Sequence, residues 1–465
     1  MKDHRPNEKN RHPMIPSPIR IGPQPPRDSR PEHRSPSHPQ RVAPSSLLRA
    51  KPFAPTGFVT LGLITINALA TGLMLIAASN AWADEANTPG NKATPARRLN
   101  LPVVPYRYAG IQPPSHAEEA AARFDNMPPD NPITDHGATL GRVLFYDPTL
   151  SRNGAKSCAS CHQQSAAFTD PVAVSTGFEG GKVTRNSMSL INLRYSPGNR
   201  FFWDERAQTL EKQVLMPIEN PIEMGHELGQ LEQQLAADPI YPPLFRAAFG
   251  DESIDRHRIA KGLAQFLRTI VSFDTRYDHG LAVAGSPDKP FPNFTEQENE
   301  GKGIFFGEGR CHQCHLANRE GSDEKPQTVF FFLDRPTVNG IDSEQPQSPG
   351  EKIDPGVGGI SGLSADLGRF RSPSLRCVDL TGPYMHDGRL RTLEAVIEHY
   401  GWSLRPHANL DRRLHNIVGS GFAFRQSEVE ALVAFLKTLT DERLVADPRF
   451  ADPFLTGDTV AGTTP

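Results

Sequence analysis

SCASCHQQSAAFTD, Ser157 to Asp170, places two thiols and an imidazole within five positions: Cys158, Cys161 and His162. The pattern returns once, in RCHQCH from Arg310 to His315, which supplies Cys311, Cys314 and His315. A zinc ribbon would bring its two pairs close together in sequence, yet 153 positions separate Cys158 from Cys311. A redox dithiol has no need of the histidine that follows. C-x-x-C-H is the attachment sequence of c-type haem. The thiols add across the porphyrin vinyl groups, and the adjacent imidazole becomes the proximal iron ligand. The chain therefore reads as carrying two covalent haem c groups, with His162 and His315 beneath the irons. Cys377, the fifth cysteine, is left as an ordinary buried thiol.

Working outward, residues 1–57 are rich in Pro, Arg and Ser and lack apolar periodicity, so they read as a disordered basic leader. Phe58 to Ala78 is apolar and uncharged, and Ala81 and Ala83 stand at the small-residue positions of a cleavage site. The expectation is a signal peptide over 58–83, cleaved after Ala83, and a periplasmic protein. If uncleaved, the run would be a membrane anchor. Eleven Lys and Arg against four Asp and Glu precede it, which keeps that flank in the cytoplasm. Without the leader the formal charge falls from −3 to −10. Such a balance argues against a nucleic-acid partner and fits a neutral or basic protein.

Residues 84–110 read as a Pro-rich linker, 111–290 as a first haem domain, 291–445 as a second and 446–465 as a loose tail. GSPDKPFPN, Gly285 to Asn293, marks the boundary. Helical spacing recurs in ELGQLEQQLAADPIYPPLFRAAF and in RHRIAKGLAQFLRTIVSF, where Ile259, Leu263, Phe266, Leu267 and Ile270 repeat. TEQENEGKGIFFG leads into the second C-x-x-C-H, and SEVEALVAFLKTLTD closes the domain with Ser427 and Glu430 as a capping box. Strand patterns are scarce. The class is mainly α: two cytochrome c-like haem domains packed together, with long irregular loops such as 318–366.

Several blocks carry a resemblance to a known family: AAFTD, TRNSMSLIN, FFWDERAQTLEKQVLMPIENPIEMG, FRSPSLR and LTGPYMHDGRLRTLEAVIEHY. Over roughly 110–440 the chain resembles the dihaem cytochrome c peroxidases, and more narrowly their methylamine-utilisation (MauG) branch. The resemblance implies peroxide reduction at the N-terminal haem, with the C-terminal haem relaying electrons. It also implies a calcium ion between the domains, held by the Asn186 amide and the carbonyls of Thr381 and Pro383.

Breaking an O–O bond needs a base that takes the peroxide proton and returns it to the leaving oxygen. Trp203, Gln213 and Glu223 follow one another at ten-residue intervals. By resemblance they are the bridging tryptophan, a distal hydrogen-bonding glutamine and the distal acid–base, and Pro217 crowds the same face. Phe178 and Glu179 stand where relatives that need reductive activation carry a distal histidine. No His occurs between His162 and His226, which implies a first iron open to peroxide. For the second haem, the sixth ligand sets the potential. Candidates are Met385, His386, His399 and Tyr400. Leu393, Val396, Ile397 and Tyr400 share a helical stripe that leaves His399 pointing elsewhere, and Tyr400 stands where the family places its ligand.

Three functions compete. One is a MauG-like enzyme that oxidises a protein substrate. The second is a peroxidase fed by a small cytochrome c or cupredoxin. The third is a mere electron carrier.

Overall fold

The computed structural model describes residues 97–316, 328–332, 335–346 and 352–455. The leader, the apolar run and the start of the linker lie outside the described residues. Among those described, no helix is long and apolar enough to cross a membrane. Helices and turns dominate, and among the described residues the only β pairings are isolated bridges.

One device is used twice. In the first half the helix Asp135–Tyr146 precedes the Cys158 motif and the helix Arg256–Thr269 follows it. They cross where a Cβ on Gly141 would lie 2.0 Å from the Gly262 carbonyl oxygen, so only glycine permits the approach. In the second half Glu296–Phe306 precedes Cys311 and Gln426–Lys437 follows it. Here a Cβ on Gly301 would lie 1.8 Å from the Ala431 carbonyl. Each crossing brings apolar stripes together: Leu140, Val143 and Leu144 with Ile259, Leu263 and Phe266 in one core, and Ile304 and Phe305 with Val429, Leu432 and Phe435 in the other.

Local starts and stops follow ordinary capping chemistry. Asp255 accepts from the amides of His257 and Arg258, and Thr295 and Glu298 form a reciprocal box. The long 227–249 pattern is two helices, Leu228–Ala237 and Tyr241–Phe249, because Pro242 and Pro243 are tolerated only in a first turn. Ile270 caps its helix rather than extending it. The expected box at Ser427 and Glu430 is replaced by one two residues earlier. The Arg425 amide donates to Glu428 at 2.7 Å, while its guanidinium pairs with the same carboxylate.

The packing also corrects the boundaries. Tyr277 and Leu281, on the helix Arg276–Ala284, already belong to the second core, upstream of Gly285 to Asn293. The linker and tail are not loose where they are described. Tyr108 and Phe450 are both buried in the first core, and Leu99 bridges to Phe454. Apolar burial of Phe450 outweighs the freedom that a Gly- and Pro-rich ending suggests. Within the second half, Arg376 donates to both oxygens of Asp278 at 2.7 and 2.8 Å with both side chains buried, and His116 of the first half lies 3.1 Å from the same carboxylate.

Candidate functional site

A cavity of about 470 Å³ opens beside the first motif, within the range of cofactor pockets, roughly 300–1,000 Å³. Cys158, Cys161 and His162 line it, and Trp203, Gln213, Pro217 and Glu223 face it from the other elements. Thus the structure gathers the distal residues expected from the sequence around the first motif.

His162 is oriented for coordination. Its Nδ1 lies 2.9 Å from the carbonyl oxygen of Phe168, with the Ser187 hydroxyl at 3.3 Å. Donation to that carbonyl leaves the Nε2 lone pair for a metal, the usual arrangement of a ligating histidine. Phe168 reaches the position with φ +59°, a left-handed conformation that phenylalanine seldom adopts. Burial pushes the imidazole pKa down despite the Phe168 carbonyl, which favours the neutral, ligating form. Burial likewise pushes the Cys158 thiol up to about 12.

On the facing wall, Glu223 is held by its own turn. The Asn220 amide donates to Glu223 Oε1 at 2.9 Å, and Asn220 Oδ1 accepts from the amides of Ile222 and Glu223. Burial raises the Glu223 pKa, and Arg206 works against that rise. Gln213 Oε1 is buried and has no hydrogen-bond partner among the described residues. Such an orphan facing a cavity fits a site completed by a bound group or by reactant. Phe178 donates its amide to the Glu223 carbonyl at 3.0 Å, so the segment that lacks the histidine instead braces the glutamate loop. Glu179 is exposed.

Trp203 Nε1 donates to the Asn186 carbonyl at 2.9 Å, and the Trp203 carbonyl accepts from the Arg371 amide at 2.9 Å. The indole is therefore tied to the first half and the Trp203 backbone to the second. Asn186 donates its side-chain amide to the carbonyls of Val172 and Ala173, and its backbone amide to the His386 carbonyl at 2.8 Å. Thr381 and Pro383 precede His386 on the same loop. Oxygens of this type suit a hard cation.

The second motif repeats the first with differences. Burial drives the His315 pKa down to about 4, with the Phe331 carbonyl opposing. Nδ1 of His315 makes no hydrogen bond among the described residues. Phe331, like Phe168, has positive φ, +54°. Tyr400 lies on the helix Leu393–Trp402, within electrostatic reach of Cys311 and Cys314. Burial pushes its hydroxyl up to about 12 against a hydrogen bond from Asn339. The expected stripe is only partly right. Leu393 and Ile397 are buried, but so is His399, at 4% exposure, with its Nε2 3.1 Å from the Asn339 carbonyl. His386 stacks on Phe370 at 3.9 Å between ring centroids and lies 3.4 Å from Asp342, a structural setting. Asn220 and Asn339 were missed by sequence reasoning, since a lone Asn in a loop carries no periodic or motif signal.

The residues present fit haem at both motifs. Known proteins agree. Residues 135–285 match the family model described as di-haem cytochrome c peroxidase. The chain is 35% identical to the methylamine utilization protein MauG of Methylorubrum extorquens over 68% of its own length and 81% of that protein. It is 34% identical to the cytochrome c551 peroxidase of Nitrosomonas europaea, over 68% and 83%. Among solved structures, a MauG-like protein associated with microbial copper homeostasis superposes with TM-score 0.59 at 34% identity, covering 77% of this chain and 99% of that one. A pair of haem-attachment motifs, each set in the same helix crossing, together with these likenesses, makes this chain a member of the di-haem cytochrome c peroxidase family.

Proposed function

We propose that the protein is an exported, MauG-like dihaem oxidase that reduces hydrogen peroxide at its first haem and draws electrons, through its second, from a protein substrate. The observation that carries this reading is the partly buried, amide-held Glu223 facing the His162 motif across one cavity. When bound, the two haem c groups supply the iron chemistry of O–O cleavage and of electron relay.

The chain's own residues do the rest. Ionised Glu223 would take a proton from one peroxide oxygen and deliver it to the other, which departs as water. Asn220 keeps the carboxylate aimed into the cavity, and Gln213 offers the orphaned oxygen to a peroxide or water hydrogen. Pro217 narrows the distal face, which favours a small oxidant. Trp203, fixed by Asn186 and Arg371, offers an oxidisable indole between the halves. Covalent attachment through Cys158, Cys161, Cys311 and Cys314 belongs to this proposal. So do a calcium ion at Asn186, Thr381 and Pro383, and periplasmic location after cleavage at Ala83.

Tyr400 as sixth ligand favours the protein-oxidising role, because an oxygen donor stabilises the more oxidised states of the second haem. The peroxidase reading has its own observation: the Met385 thioether lies 3.4 Å from the same Asn339 amide that reaches Tyr400. A thioether ligand would raise the potential and suit a relay fed by a small cytochrome or cupredoxin. Peroxide added to the fully ferric protein separates the two. A near-infrared charge-resonance band without added reductant is the expected result. Rapid oxidation of reduced small cytochromes without that band would favour the peroxidase. Failure to consume peroxide would leave only the carrier.

A further inference from the structure

Asn339 occupies an unusual place in the second site. Its Nδ2 donates to the Tyr400 hydroxyl oxygen at 3.3 Å and lies 3.4 Å from Met385 Sδ. Its Oδ1 accepts from the Ile341 amide at 3.2 Å, so the carboxamide is oriented: the oxygen is taken by backbone and both N–H groups turn toward the two side chains. Its backbone carbonyl accepts from His399, the neighbour of Tyr400 on the same helix, at 3.1 Å. The asparagine is thus pinned to the helix that carries the tyrosine.

Met385 is held from the other side. It has φ +73°, a left-handed conformation uncommon for a long side chain. The turn is closed by the Gly388 amide donating to the Met385 carbonyl at 3.2 Å and by the bridge between Tyr384 and Leu390. Conformations of this kind persist only where the surroundings enforce them, and they concentrate at functional sites. A phenol oxygen and a thioether, both competent iron ligands, therefore meet at one amide.

We propose that Asn339 is a positioning residue that selects the sixth ligand of the second haem, holding the Tyr400 oxygen in place while Met385 stands beside it as a reserve donor. The inference rests on the reading of Tyr400 as axial ligand. An N–H directed at a coordinating oxygen supports an anionic donor and fixes its direction, as partners of metal ligands do elsewhere. A thioether gains little from the same N–H, being a weak acceptor. Removing the amide takes away the advantage of the phenol and leaves the thioether its own affinity for iron.

The test uses the dihaem protein with electron paramagnetic resonance and potentiometry. Asn339→Leu should replace the resting low-spin signal with that of a thioether-ligated haem and raise the second potential, leaving the first haem's signal unchanged. An unchanged low-spin signal and potential would overturn the proposal. Tyr400→Phe should produce the thioether form outright, and Tyr400→Phe with Met385→Leu should abolish it; a thioether form that survives the double substitution, or never forms in the single one, excludes Met385 as reserve. Should Asn339→Leu fail to load both haems, Asn339→Ser supplies the same comparison. If Tyr400→Phe leaves the resting spectrum untouched, the ligand reading itself fails, whatever Asn339→Leu shows.

Discussion

Asn220 donates its side-chain amide to Oε1 of Glu223 at 2.9 Å, three residues along one turn whose backbone amides return to Asn220 Oδ1. A carboxylate held this way keeps its direction without being neutralised by a cation. Glu223→Gln retains shape and hydrogen bonding but cannot accept a proton. Peroxide turnover should fall by ~10²–10⁴-fold, the usual worth of a positioned acid–base. Stopped-flow mixing with peroxide checks this, with the haem absorption of the resting variant unchanged.

The acid limb of the rate profile follows from the same burial. Only the ionised form of Glu223 accepts the proton, so the rate rises with pH through its pKa. Burial has raised that pKa, which puts the limb above the ordinary glutamate value of ~4.3. Arg206 opposes the rise, so Arg206→Gln should move the limb to still higher pH. Peroxide turnover measured from pH 4 to 8 reads the displacement directly.

Trp203 is fastened to the first half through Asn186 and to the second through Arg371. Trp203→Phe keeps an aromatic ring but loses both the N–H and the easily oxidised indole. Cleavage of peroxide at the first haem should persist, while electrons from the second arrive more slowly. Rapid-scan spectra that follow both haems separately distinguish this from a general loss of activity.

Arg376 and Asp278 form a buried ion pair in the second half, with His116 of the first half beside it. Burial pushes Asp278 up, but Arg376, together with hydrogen bonds from His116 and Thr275, outweighs it and holds the carboxyl well below the ordinary range. With the folded pKa depressed, the stabilisation is fully present above the unfolded value of ~3.9 and is lost as pH falls through the folded one. Arg376→Ala strands a buried carboxylate and should cost about 3–5 kcal/mol at pH 7. The deficit should shrink below about pH 4, where Asp278 can take up a proton instead. Denaturant midpoints at the two pH values give the comparison.

Much of this architecture was legible because the C-x-x-C-H motif is made of contiguous residues. Cys158, Cys161 and His162 must sit side by side, so the motif survives in one dimension. Helix positions were legible for a related reason, since Ile259, Leu263, Phe266 and Leu267 recur at helical spacing within one continuous stretch. What escaped depends on three-dimensional return of the chain. Phe450 looks like part of a tail until the first core is seen to lack a ring at that place, and Phe266 and Tyr108 close around it. His399 was misplaced because the stripe of its helix predicts one buried face, whereas the 339 loop covers a second. The cap at Arg425 was misread because Ser427 offers the better intrinsic cap, and the Arg425–Glu428 ion pair overrides it.

On the proposed function the chain holds two unlike haem sites, one with an open distal face beneath Glu223 and one closed by Tyr400. Electron paramagnetic resonance of the purified resting protein tests it most directly. Two covalent haems per chain are expected, one ferric high-spin and one low-spin, with Tyr400→Met altering the low-spin signal alone. A single haem per chain, or two low-spin signals typical of paired nitrogen ligands, would contradict it.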